Sequence, residues 1–271
     1  MALREGAASA GALLREWRQR RNLSQLELAL RSAISARHLS FIETGRAQPS
    51  REMILHLAER LAVPLRDRNR LLLAAGFAPV FGERSLDESE MAPVRVALGR
   101  FLAAHEPYPA VVVDRHWDVV AFNRGVAYVN HNVAPELRRP PANALRIALH
   151  PDGLAPQISN LADWSGFLLA RLRREIEATG DPELAALYEE LAAYPGVAPE
   201  EDRSDIPTPN EIMLKHELRL DDTDLALFCT FTTFGTARDL TLAELTIVAF
   251  YPANRQTAEA LSAAVTETQP D

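Results

Sequence analysis

Cysteine is almost missing from this 271-residue sequence: Cys229 is the only one. A lone thiol cannot close an internal disulfide, so a stapled secreted scaffold is excluded and a reducing cytoplasm is expected. Lysine is equally scarce, with Lys215 standing against 28 arginines, a bias expected where the genome is GC-rich. No apolar run approaches the roughly 18 residues that a membrane-spanning helix needs. Met1 to Ala12 lacks the long apolar core of a signal peptide, so neither a leader nor membrane attachment is expected. Zinc-type Cys/His spacing, a P-loop, a dinucleotide fingerprint and a 20 to 50 residue repeat are all lacking. The seven histidines fall in no metal or nucleophile motif, Cys229 sits in an apolar strand, and Glu189-Glu190 diverge as helix neighbours. Catalytic residues, metal ligands and a required cofactor are therefore not expected.

Charge is unevenly shared. The whole chain carries a net charge of −8, which argues against indiscriminate nucleic-acid binding. Residues 1–80, however, hold 13 Arg against 7 acidic residues, a net of +6 that leaves −14 for the remainder. Arg15, Arg18, Arg20 and Arg21 crowd one short stretch. Positive charge is thus gathered where a polyanion could be met.

Within that basic segment, Leu23 to Arg46 reads as two short amphipathic helices joined by a tight turn. Ser24 and Glu27 have capping-box spacing, which starts a helix at Gln25. Leu26, Ala29 and Leu30 recur as an apolar stripe expected to face inward. Ala33-Ile34-Ser35 makes the turn, with Ile34 inward and Ser35 as the next N-cap. Leu39 and Ile42 then point inward, which leaves Ala36, Arg37, Ser40 and Phe41 outward. Gly45 supplies a left-handed cap, and Arg46 follows it where a backbone phosphate is expected. This is a helix-turn-helix, the unit that presents one helix to the major groove.

From Gly11 to Gly76 the chain resembles the Xre/Cro-like helix-turn-helix family. The shared features are Leu14, Trp17 and Arg18, then Leu23-Ser-Gln25, Ile42-Glu-Thr-Gly-Arg46 and Pro49-Ser50, with two later helices at Arg51 to Leu61 and Leu65 to Ala75. The resemblance implies an all-α five-helix domain in which Gln25 and Ser35 touch phosphates and Ala36, Arg37 and Phe41 face base edges. Ala33 departs from the family's usual glycine. If it must adopt a left-handed backbone, alanine costs roughly 1 kcal/mol more than glycine.

The DNA-binding domain is assigned to 1–80 and a linker to 81–93, where Gly82 to Glu90 turns polar and acidic. After a short helix at Val94 to Ala104, Ala110–Val113 and Trp117–Phe122 read as a β-hairpin around an Asp114 turn. Asn123 caps a helix from Gly125 to Val133. Such a hairpin closed by an asparagine resembles the entry of PAS-like sensor domains. Leu161 to Thr179 forms a broad apolar helix ended by Gly180, and Asp181-Pro182 starts another that runs to Pro195. Pro199 to Pro209 reads as an exposed acidic loop. Met213–Leu220, Leu225–Phe234 and Thr241–Tyr251 read as strands, and Ala253 to Val265 as a last helix.

From about Ala92 to Leu261 the sequence resembles the MmyB-like ligand-binding domain that follows Xre-type segments in bacterial regulators. Trp117 to Asn123, Asn143 to Arg146, His150 to Leu154, Leu161 to Trp164 and Leu240 to Leu245 carry the likeness. It implies an α+β PAS-like domain over 94–271, with an antiparallel sheet flanked by helices. It also implies a dimeric transcription factor and a pocket for a small apolar ligand such as a fatty acid; the two recognition helices of a homodimer are then expected to read a near-palindromic operator in double-stranded DNA. Trp117, Val119, Phe122, Trp164, Phe167, Leu168, Leu227, Cys229, Phe231 and Ile247 are the candidate lining. Arg146 and His150, four apart on one helix, are candidates for a carboxylate head group. The alternative is a ligand-free module that only dimerises or binds another protein.

Overall fold

The computed structural model describes residues 9–198 and 213–267, so the expected Pro199–Pro209 loop lies outside the described residues. The chain divides into two units. One holds the described residues through Arg84 with Ala237–Leu240, and the other holds the rest from Ser85 onward.

Five helices build the first unit: α1 (Ala10–Arg20), α2 (Gln25–Arg31), α3 (Ala36–Glu43), α4 (Arg51–Arg60) and α5 (Leu65–Ala74). The first four begin at serines, Ser9, Ser24, Ser35 and Ser50, whose hydroxyls accept from the amide three residues on. The expected capping box at Ser24 and Glu27 forms in full. Leu14, Leu28, Leu39, Ile42, Ile54 and Leu57 are sealed in the core. Gly11 is required where α1 crosses the end of α3, since a Cβ there would lie 2.1 Å from the Ile42 carbonyl oxygen. Ala237–Leu240 joins this unit through Asp239, which accepts from Arg84 at 2.9 Å, and through the Leu240 amide, which donates to Gly82 at 2.8 Å.

One stripe differs from expectation. Leu26 and Leu30 are 61% and 72% exposed, while Leu28 and Ala29 are buried. The face of α2 that packs is Gln25, Leu28, Ala29 and Ser32, with the same 3.6-residue period but rotated. Two of its four positions are polar, so hydrophobicity alone points to the wrong side.

Ala33 does take the left-handed conformation, with φ +52°. Ala33→Gly is therefore expected to stabilise the first unit by about 0.5–1 kcal/mol. A higher denaturant midpoint for that unit's unfolding is the check; an unchanged or lower one contradicts it.

The second unit opens with α6 (Ala92–His105), β1 (Ala110–Val113), β2 (Val119–Phe122), α7 (Arg124–Val129), α8 (Ala144–Leu149), α9 (Leu161–Thr179) and α10 (Pro182–Ala192). It continues with β3 (His216–Leu220), β4 (Thr223–Thr233), a short α11 (Leu240–Glu244) whose first residue belongs to the first unit, β5 (Thr246–Pro252) and α12 (Arg255–Glu267). The five strands pair antiparallel in the order β2-β1-β5-β4-β3, the α+β arrangement expected of a PAS-like domain. Buried Asn123 ties three elements together. It accepts from the Ala110 amide at 3.0 Å and the Val126 amide at 3.3 Å, and donates to Leu102 and Tyr108 carbonyls. Gly180, at φ +67°, ends α9 as expected.

Thr241–Tyr251 is not one strand. Thr241-Leu-Ala-Glu244 is helical, and the ladder starts at Thr246. Leucine, alanine and glutamate favour helix, whereas the β-branched and aromatic residues come only afterwards.

Each strand face has its own core. Val111, Val113, Leu225, Leu227 and Val248 face the side of α7 to α10, while Ala110, Val112, Ile247 and Ala249 face Leu98 and Leu102 of α6. The period of two along β5 therefore sends Ile247 away from Val248.

Candidate functional site

Three helices of the first unit meet at one carboxylate. Glu43, at the end of α3, accepts Nε and Nη2 of Arg18 at 2.7 and 2.8 Å, and Nε2 of Gln25 at 2.8 Å. Arg18 gives its Nη1 to the Leu23 carbonyl at 2.7 Å. The side chains of Arg18 and Glu43 are 10% and 0% exposed. The bond from Glu43 holds the guanidinium pKa above its ordinary value despite desolvation. Such a fork fixes α3 against α1 and α2 far more firmly than a surface pair would.

The other side of α3 faces away from this network. Arg37 is exposed, Ala36, Ser40 and Phe41 are half-buried, and Arg46 is exposed just beyond the helix. The Arg37 guanidinium lies 5.3 Å from the Phe41 ring centre, so the two form one outward patch. Ser35 Oγ accepts from the His38 amide at 3.1 Å, which leaves its O–H to donate outward. Gln25, at the N1 position of α2, is half-buried and gives one of its two carboxamide N–H groups to Glu43.

The arginine cluster of α1 also resolves differently. Arg18 is buried, Arg20 pairs with Glu16 at 2.5 Å, and Arg21 donates to the Leu61 and Ala62 carbonyls. Much of that positive charge holds the fold. Arg31, Arg37 and Arg46 are exposed and make no side-chain hydrogen bond or ion pair among the described residues.

In the second unit, the inner sheet face and its covering helices enclose a cavity of about 300 Å³. Eight of the expected lining residues meet there. Trp117, Val119 and Phe122 come from the first hairpin, Trp164 and Leu168 from α9, and Leu227, Cys229 and Phe231 from β4. Trp117 adopts φ +68°, a sterically costly backbone for a bulky residue. Asp114 Oδ1 braces that turn by accepting from the His116 and Asp118 amides, each at 2.9 Å, and the Trp117 indole N–H donates to Glu175 at 2.8 Å.

Four expected lining residues stand elsewhere. Ile247 is on the opposite sheet face. Phe167 lies behind the wall, 5.4 Å from Trp164 and 6.2 Å from Phe231 between ring centres. Arg146 turns outward to fork onto Glu190 at 2.8 Å twice, since its neighbours Leu145 and Ile147 take the inward positions of α8. His150 caps α8 and packs edge-on against Tyr194 at 5.0 Å. Arg146 and His150 thus share one side, as their spacing predicts, but it is the side of α10. The Glu190 carboxylate occupies the fork that a ligand head group would need.

Residues 94–264 match the MmyB-like transcription regulator ligand binding domain, and residues 14–67 match a helix-turn-helix family. The chain belongs to the MmyB-like transcription regulator family. Uncharacterized HTH-type transcriptional regulators of Mycobacterium tuberculosis and Mycobacterium bovis are 32% identical to it over 110 residues. That stretch is 41% of this chain and 39% of theirs, so the chain spans well under half the length of these curated relatives. A solved RNA-binding light-oxygen-voltage receptor aligns with 96% of this chain and 61% of its own, at 14% identity and a TM-score of 0.27, too low to carry an argument.

The lining of this MmyB-like domain includes residues not anticipated from sequence: Val248 and Phe250 of β5, His216 and Leu218 of β3, and Arg138. The strand residues obey the period of two and could have been found that way. Arg138 sits in an irregular segment where no period applies. Burial pushes the Cys229 thiol up to about 11, which leaves it protonated and unreactive. Desolvation likewise raises the Glu175 carboxyl, opposed by the Trp117 bond and by Arg171. Among the described residues no cluster of His, Cys, Asp or Glu could hold a metal, and no helix is long and apolar enough to cross a membrane.

Proposed function

We propose that this protein is a sequence-specific DNA-binding transcriptional regulator whose second unit binds a small apolar ligand of the fatty-acid type. The observation that carries the reading is α3 itself. Its inner side is locked by the Arg18–Glu43–Gln25 network while its outer side offers Arg37, Phe41 and the nearby Arg46 without internal ion pairs. An arginine on a braced helix suits bidentate contact with a guanine edge, and Arg46 suits a phosphate.

Dimerisation follows from information content. Eight residues of α3 extend about 12 Å, enough to read only about three or four base pairs. Two copies related by a two-fold axis would read a near-palindrome with half-sites one or two turns apart. Ligand would alter operator affinity only by the difference in its affinity for two arrangements of the dimer.

Selection from a random duplex library with the full-length protein tests the DNA reading. The expected outcome is an enriched sequence containing two related inverted half-sites; no enrichment over the starting pool overturns it. Extraction of the purified protein followed by mass spectrometry tests the ligand reading. A stoichiometric acyl lipid is expected. Failure both to extract a lipid and to bind added acyl chains would leave the second unit as an interaction module.

A further inference from the structure

We infer that the preferred ligand is an acyl chain bearing an uncharged oxygen function, a hydroxyl or a carbonyl, which hydrogen-bonds His216 inside the cavity while an anionic end stays at the mouth beside Arg138. The inference rests on the ligand-binding reading above and narrows it to a ligand class.

His216 is the first residue of β3, is 4% exposed and lines the cavity. Neither ring nitrogen has a hydrogen-bond partner among the described residues. Other half-buried histidines differ: His56 meets the Ser32 carbonyl at 2.9 Å and His105 the Phe250 carbonyl at 2.8 Å. The imidazole of His216 is stacked on Trp164, 4.2 Å between centres and 7° from parallel, with Phe250 at 5.7 Å. Phenylalanine would fill such an aromatic slot without leaving polar atoms unpaired, so histidine is explained by a partner that arrives with the ligand.

The chemistry of that partner is restricted. Burial pushes the imidazole down to about 3, so at neutral pH the ring is uncharged, with one N–H and one lone pair. It can meet a hydroxyl or carbonyl, but it offers no charge to an ionised carboxylate, which is costly to bury unpaired. Charge is available elsewhere. Phe122 and Arg138 are exposed members of the lining and so mark the opening. Arg138 makes no side-chain hydrogen bond or ion pair among the described residues. A carboxylate there would keep its water and gain a guanidinium.

Titration of the full-length protein with tetradecanoic acid and its positional hydroxy-isomers, read by the fluorescence of Trp117 and Trp164, tests this. At least one isomer is expected to bind tenfold or more tightly than the unsubstituted acid. His216→Phe should erase that preference while still binding the unsubstituted acid, and His216→Gln, which keeps a donor and an acceptor, should retain part of it. Should His216→Phe fail to fold, the imidazole nitrogen NMR shifts of the wild-type protein decide: they move with the favoured isomer and not with tetradecanoic acid. No preference among the acids, or one that survives in His216→Phe, overturns the inference and leaves the ligand reading intact. Binding of no chain at all overturns both.

Discussion

Replacing Glu43 with alanine is expected to destabilise the first unit by about 3–5 kcal/mol, because a buried guanidinium would lose its counter-charge. Arg18→Ala should cost a similar amount, since the carboxylate it strands is fully enclosed. The damage comes from the orphaned partner more than from the lost attraction. A double replacement, Arg18→Met with Glu43→Leu, should therefore be less harmful than either single change. Denaturant unfolding of the four proteins measures this directly. Additive losses would show that the two side chains do not act as a pair. The singles should also weaken DNA binding before global unfolding, because Glu43 anchors the helix that Arg37 projects from.

His216→Phe is expected to make the second unit less sensitive to acid. In the folded protein burial holds the imidazole down to about 3, whereas an unfolded histidine titrates near 6.5. Between those values the unfolded chain binds the extra proton, so stability falls as pH drops below about 6.5, by up to about 1.4 kcal/mol per unit from this residue. Above about 6.5 this contribution to the slope vanishes. The ring neighbours Trp164 and Phe250 carry no charge that could soften the effect. Unfolding midpoints at pH 7 and pH 5 for wild type and variant provide the comparison. Parallel slopes would mean that the native imidazole is not kept neutral.

Local signals carried the sequence reading furthest. Ser24 with Glu27, Ser35, Asn123, Gly180 and Asp181 cap or end helices where their chemistry predicts, since a cap needs only its own few residues. Leu227, Cys229 and Phe231 share a cavity wall because strand period fixes a face. Expectation and structure part where tertiary contacts decide. Leu26 and Leu30 point outward because Gln25 holds an inward position in a network with Glu43 that sequence does not display, and Ser32 is buried on the same face. Arg146 is claimed by Glu190, 44 residues later, and Arg18 by Glu43, so both guanidinium groups are paired within the chain. His216 has no signature in the sequence because an unpaired ring is defined by what surrounds it. The return of Ala237–Leu240 to the first unit likewise depends on Arg84 and Gly82, more than 150 residues earlier in the chain.

Whether α3 reads base sequence through Arg37 is decided by the ratio of affinities for the selected operator and for random duplex DNA, in wild type and Arg37→Ala, at one fixed salt concentration. If Arg37 contacts a base edge, the ratio should fall by a factor equivalent to about 1–3 kcal/mol per half-site, with nonspecific binding far less affected. A ratio that is unchanged in Arg37→Ala would contradict the assignment of α3 as the reading helix.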